Sequence, residues 1–182
     1  KWSRATAGTP ITEFTGNKTV YAVWGSARND VLAAGRKINQ GLLSAFLMHF
    51  DGARWIDVTS ANVQALSSVL YNVYGASKSD IWVGGDQYAL HYDGTAWMVY
   101  NVADSIIIGS ITGNGKNVYA SAYSPWGKNI ELIYLLSGNT FRLIDSTTDA
   151  ELKFAGGLWA TSSKLCSFIN GLVSTTIINN MG

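Results

Sequence analysis

Short apolar runs rich in β-branched and aromatic residues alternate along this chain with clusters of Gly, Asp, Asn and Ser. Runs of that length bounded by turn formers predict β-strands rather than helices. The first run of this kind resolves into four strands: Val20 to Trp24, Val31 to Gly35, Ala45 to Phe50 and Trp55 to Val58. No segment carries a sustained helical period; Ala61 to Leu70 is the best helix candidate, and it is short.

The pattern repeats. Val20-Tyr21-Ala22-Val23-Trp24-Gly25-Ser26-Ala27-Arg28-Asn29-Asp30-Val31 returns at an offset of 50 as Leu70-Tyr71-Asn72-Val73-Tyr74-Gly75-Ala76-Ser77-Lys78-Ser79-Asp80-Ile81. Met48-His49-Phe50-Asp51-Gly52-Ala53-Arg54-Trp55 returns at an offset of 42 as Leu90-His91-Tyr92-Asp93-Gly94-Thr95-Ala96-Trp97. The first copy therefore carries eight extra residues between its two modules. A looser third copy runs from Gly113 through Val118 and Tyr119 to Ser137-Gly138-Asn139-Thr140-Phe141, and a degraded fourth begins near Phe154. Four strands per unit, repeated, predict a β-propeller. One four-stranded blade cannot hide both of its faces, and neighbours stacked about an axis cover them.

On this reading the chain is one all-β domain with about four four-stranded blades, near 20–58, 70–102, 106–143 and 152–178. Trp2 resembles Trp55 and Trp97, so the strand around residues 1–6 would complete the last blade and close the ring. The alternatives are a fragment of a larger propeller and a pair of copies forming a larger ring. The chain begins at Lys1 without an initiator Met, which fits a processed or partial chain.

Composition narrows the function classes. Thirteen Lys and Arg against twelve Asp and Glu leave a net charge of +1, which gives no field for nucleic acid or an anionic membrane. No apolar run approaches a membrane span. The single cysteine, Cys166, excludes a disulfide framework and a CxxC metal site. Charged residues are 14%, against roughly 25% in soluble domains at large. With the many Gly, Ser, Thr and Asn, this predicts a bacterial protein working outside the cytoplasm: secreted, periplasmic or at the cell surface.

The repeated residues also resemble a broad group of bacterial extracytoplasmic propeller repeats. Their units read apolar-x-x-Val-Trp-Gly-Ser, then Asp-Val-Trp-x-x-Gly, then His-Tyr-Asp-Gly-Thr-x-Trp, and they are distantly similar to Ycf48-like propellers. The match is good over residues 20 to 102, weaker to 143 and poor at either end. It implies a propeller and an extracytoplasmic setting, and no activity, because this fold hosts both binders and enzymes. The Asp51-Gly52-x-x-Trp55 and Asp93-Gly94-x-x-Trp97 turns resemble the Asp-box of sialidase-type propellers. They depart from it in that Asp and Gly are adjacent and Trp follows Asp by four residues.

Repeat-locked residues are expected to serve the fold. His49 and His91 occupy equivalent positions that rotation about the ring keeps apart, so they are read as structural, bonding to backbone or to the Asp-Gly turns. Asp30, Asp80, Asp51 and Asp93 are read as turn acids that accept backbone N–H groups. Trp24, Tyr74, Trp82, Tyr119, Trp55, Trp97 and Phe141 are read as inter-blade core. No phosphate loop, metal-ligand cluster or nucleophilic triad appears, so neither metal nor cofactor is expected.

Function is then expected where the copies differ, in the connections between second and third strands. These are Arg36 to Gly41, lengthened by the insertion, Gly85 to Tyr88, and Tyr123 to Asn129. The candidate ligand-binding residues are Arg36, Lys37, Asn39, Asp86, Gln87, Tyr88, Trp126 and Lys128, an assembly of aromatic plates, amides and charges suited to a glycan or a protein. The linkers between blades, on the same face, add Glu13, Asn62, Gln64, Asp104, Asp145 and Asp149. The favoured function is a non-catalytic binding or scaffolding module, with a homo-oligomer or larger assembly in view. The rival is a glycosidase of the sialidase type, which would need two facing carboxylates that no motif locates.

Overall fold

A computed structural model describes residues 17–126, 130–148, 157–161, 164–169 and 172–177. Its strands form four antiparallel sheets in chain order. The first contains β1 (Lys18–Ala27), β2 (Asp30–Asn39), β3 (Leu42–Phe50) and β4 (Trp55–Asp57). The second contains β5 (Leu70–Ser77), β6 (Asp80–Gly85), β7 (Tyr88–Tyr92) and β8 (Trp97–Asn101). The third contains β9 (Ile107–Gly113), β10 (Val118–Tyr123), β11 (Ile130–Ser137) and β12 (Thr140–Thr148). The fourth contains β13 (Leu158–Ala160), β14 (Lys164–Ile169) and β15 (Leu172–Ile177). Each sheet is a simple meander, and the first strands pack on one another in succession, β1 on β5, β5 on β9 and β9 on β13. Meandering sheets joined radially through their first strands make this all-β chain a β-propeller of about four blades.

Strand alternation explains the packing. Successive side chains of a strand point to opposite faces, so each inner strand feeds two interfaces. In β6, Ile81 and Val83 join Leu32, Ala34, Leu47 and Leu70 between the first and second blades. Trp82 points the other way and joins Ile108, Ala120, Ala122 and Phe141 between the second and third. In β10, Ala120 and Ala122 face the second blade while Tyr119 packs with Ile133, Leu135 and Leu158 toward the fourth. The repeat-locked Trp82, Tyr119, Trp97 and Phe141 are thus inter-blade core, as expected from their spacing.

Glycine allows the closest contacts. A Cβ on Gly75 would fall within the Trp24 indole of the preceding blade, and one on Gly113 would meet the Tyr74 ring at 2.9 Å. The same aromatic-on-glycine contact therefore joins successive blades. Polar ties run beside it: the Tyr74 hydroxyl donates to the Gly113 carbonyl (3.1 Å), and Asn72 Nδ2 to the Ile108 carbonyl (2.8 Å).

One expectation about the strands is corrected. Arg36, Lys37 and Asn39 lie in β2, paired with Ala45, Ser44 and Leu42, and not in a loop. The insertion lengthens the hairpin, which closes through Gln40 (φ 49°) and Gly41 (φ 81°), the consecutive left-handed pair of a two-residue turn. The helix candidate is one turn only, α1 (Ala61–Gln64). The expected closing strand at residues 1–6 lies outside the described residues.

Candidate functional site

In a meander, the β1–β2, β3–β4, β5–β6 and β7–β8 turns share one end of the blades, and the connections between second and third strands share the other. At the first end a groove of about 690 Å³ opens between blades one and two. Trp24, Asp30, Leu32 and His49 supply its first wall, and Lys78, Ile81, Tyr92 and Trp97 its second. Val58, Ser60 and Asn62 of the β4–β5 linker complete it. This volume lies within the range of small-molecule sites, roughly 300–1,000 Å³, and the mix of aromatic walls with a few polar groups is typical of them.

The register assembles the polar centre. His49 in β3 stands directly across from Leu32 in β2, both facing the second blade. A bulge between Gly25 and Ala27 places Asp30 at the start of β2, where its Oδ1 lies 2.7 Å from His49 Nε2. The Ser26 hydroxyl also donates to Asp30. That bond first, and the His49 contact second, hold the Asp30 carboxyl below its ordinary value, with Lys78 contributing from the facing blade. Asp30 is thus an anion between two donors, and Lys78 is an exposed cation at the lip. The Asn62 side chain donates to the Trp97 carbonyl (2.9 Å) and accepts from Ser60 Oγ (2.6 Å). The linker therefore folds into the wedge between the sheets, and Asn62 does not stand on the opposite rim.

His91 repeats the arrangement, with Nε2 2.9 Å from Asp80 Oδ1. Both histidines bond to the acid of their own first hairpin, not to the backbone or the Asp-Gly turns. The carboxylates of those turns instead accept backbone N–H groups two and three residues on: Ala53 and Arg54 at Asp51, Thr95 and Ala96 at Asp93.

The residues singled out in the sequence lie at the other end. Asp86 is engaged in the fold: its Oδ2 accepts the Val69 N–H (3.0 Å), and it bonds to the Tyr71 hydroxyl. Burial, and then the Asp86 charge, push the Tyr71 phenol up to about 12. Gln87 holds a left-handed φ of 63° and exchanges backbone bonds with Ile106 and Val102. Tyr88 opens β7 opposite Asn101. The Arg36 guanidinium lies 5.9 Å from the centre of the Tyr21 ring, which meets Tyr71 edge-on at 5.4 Å. Tyr21 and Tyr71 each sit at a bulge of an inner strand, where a bulge re-aims a side chain. They link Arg36 to Asp86, a juxtaposition that the sequence reading missed. Lys37 and Asn39 stand along the extended hairpin. Trp126 is 80% exposed in the β10–β11 connection. Lys128, with Glu13 and Asp149 of the linkers, lies outside the described residues.

The groove itself was legible only as a departure from the repeat. Leu32 stands where the second copy has Trp82, beside a histidine common to both.

No family model and no curated protein sequence matches this chain. Solved structures do. A variant of Aleuria aurantia lectin in complex with α-methyl-L-fucoside superposes with a TM-score of 0.51 at 15% identity, over 90% of this chain and 60% of that one. The same lectin variant in complex with Fucα1-6GlcNAc gives a TM-score of 0.52 at 15% identity, over 90% and 62%. YCF48 bound to a D1 peptide gives 0.43 at 16% identity, over 89% and 66%. The chain spans about 60% of the length of the lectin chains. The likeness to the lectins shows a shared β-propeller fold.

Proposed function

We propose that this chain is a non-catalytic, carbohydrate-binding propeller module, and that the groove between its first two blades takes a saccharide unit. One observation carries the reading: a cavity of about 690 Å³ combines the Trp24, Tyr92 and Trp97 rings with Asp30, His49 and Lys78. Aromatic faces cover the apolar side of a sugar ring, while charged donors and acceptors fix its hydroxyls. Among the described residues Asp30 is the one carboxylate lining this groove, whereas glycoside hydrolysis uses two across the bond. The lectin structures that share the fold hold fucosides, which supports a glycan over a protein ligand. The sparse charge of the chain fits a secreted or cell-surface bacterial setting.

A glycan array with wild type, Lys78→Ala and Trp126→Ala tests this reading. Lys78 is exposed, so its removal leaves the fold intact. A charge-assisted hydrogen bond is worth about 1.5–3 kcal/mol, so Lys78→Ala should weaken binding roughly tenfold or more. Trp126→Ala, at the opposite end, should leave it unchanged. The reverse outcome would move the site to the β10–β11 connection, and the absence of any bound glycan would overturn the proposal.

A further inference from the structure

The first groove has a counterpart between blades two and three. It is lined by Asp80, Trp82, His91 and Lys116 and measures about 200 Å³. Four of its parts correspond to the first groove, Asp80 to Asp30, His91 to His49, Tyr74 to Trp24 and Lys116 to Lys78, while Leu136 stands where the first groove has Tyr92. Within the polar centre, the difference is the residue across from the histidine. Trp82 is paired with His91 as Leu32 is with His49. The Trp82 indole stacks on the imidazole with ring centres 4.1 Å apart and planes 11° from parallel. Its Nε1 donates to Asp80 Oδ1 at 3.1 Å. The aromatic therefore occupies one face of the histidine and part of the carboxylate. Among the described residues, no ring stacks on His49, and Leu32 can neither stack nor donate. The histidine side chains follow, 35% exposed for His49 and 18% for His91, while the acids run the other way, 29% for Asp30 and 47% for Asp80. In blade three the equivalent position is Tyr119, fully buried and paired with Leu135, with Asn117 in the acid's place. There the polar pair is gone altogether.

We propose that the residue opposite the histidine decides which inter-blade groove admits a ligand, so that Leu32 opens the first groove to a saccharide and Trp82 seals a second copy of its polar centre. The proposal rests on the glycan reading for the ligand, and on Leu32 and Trp82 alone for the gate. A sealed copy retains the His–Asp pair and the lysine but lacks the volume: 200 Å³ falls below the range of small-molecule pockets. On this view the protein binds one saccharide across these two grooves, and one substitution would make it bivalent.

The two histidines are the only ones in the chain, so each reports on one groove. Exchange of the imidazole Cε1 hydrogen, followed by peptide mass spectrometry, gives a rate for each. The probe is an equimolar mixture of the methyl glycosides of fucose, galactose, mannose and N-acetylglucosamine. Without sugar, wild-type His49 should exchange severalfold faster than His91. Trp82→Leu should raise the His91 rate toward that of His49, and Leu32→Trp should lower the His49 rate. With the mixture, His49 alone should be protected in wild type, both histidines in Trp82→Leu, and neither in Leu32→Trp. Trp82→Phe, which keeps a ring in the core but loses the bond to Asp80, serves if Trp82→Leu does not fold, and should raise the His91 rate in part. A His91 rate unmoved in a folded Trp82 variant, or both histidines protected in wild type, would overturn the gate. Rates that shift as expected with no protection by sugar in any variant would uphold the gate and overturn the saccharide reading.

Discussion

Glu131 lies in β11 on the side that faces the fourth blade, 4% exposed, with its Oε1 lacking a hydrogen-bond partner among the described residues. Burial, and then the nearby Asp145, push its carboxyl up to about 7 from an ordinary 4.5. A carboxyl raised in the folded state favours folding while it is protonated. Its contribution is complete below pH 4.5 and is lost as pH rises through about 7. The unfolding free energy from urea titration should therefore be higher at pH 5 than at pH 8, by at most about 3 kcal/mol from this group. Glu131→Gln should flatten that dependence. Gly75 offers a second test at this scale. A methyl there collides with Trp24, so Gly75→Ala should cost about 1–3 kcal/mol by overpacking. In a Trp24→Ala background that cost should shrink, and chemical denaturation of the four proteins in the cycle measures the difference. The repeat made Trp24 and its counterpart Tyr74, which meets Gly113, readable as core. It could not show that their partners are glycines one blade on, because that contact joins segments far apart in the chain.

The β2–β3 hairpin shows why an insertion in a sequence alignment does not specify its structure. Extra residues can form a loop or lengthen two paired strands, and the choice depends on the turn. Here Gln40 and Gly41 both take left-handed dihedrals, so the strands stay in register as far as Asn39 and Leu42. Gln is an uncommon first residue for such a turn, where Asn is favoured, and this weakens the local signal. Gln40→Asn should accordingly raise the thermal midpoint, with a gain of up to about 1 kcal/mol, since a left-handed residue other than Gly or Asn carries a cost of that order. Loss of stability would show that the Gln40 side chain has a role the turn alone does not explain. Arg36, Lys37 and Asn39 change meaning with this result, because they are paired strand residues along a lengthened hairpin and not a loop that gathers at one point.

Across the molecule, stability should follow how many neighbours a blade has. Blade two is packed on both sides, with Val83 and Trp82 of β6 entering separate apolar clusters. Val23 of β1 is 64% exposed. Amide exchange should be slowest in β6 and β10 and faster along β1. Leu70→Ala, at a fully buried site shared by the first two blades, should cost about 2–5 kcal/mol and speed exchange in both together. Acceleration confined to blade two would show that the blades unfold separately. The strand modules, their meander and the aromatics that fill the interfaces can be read from the residues alone, because turn chemistry and period-two alternation act over a few residues and the repeat states them more than once. The inter-blade groove could not be read that way, because it joins segments far apart in the chain. The groove is the space left between two sheets, with Asp30 and His49 on one and Lys78 on the other, and such a space exists only once a neighbouring blade is packed against the first.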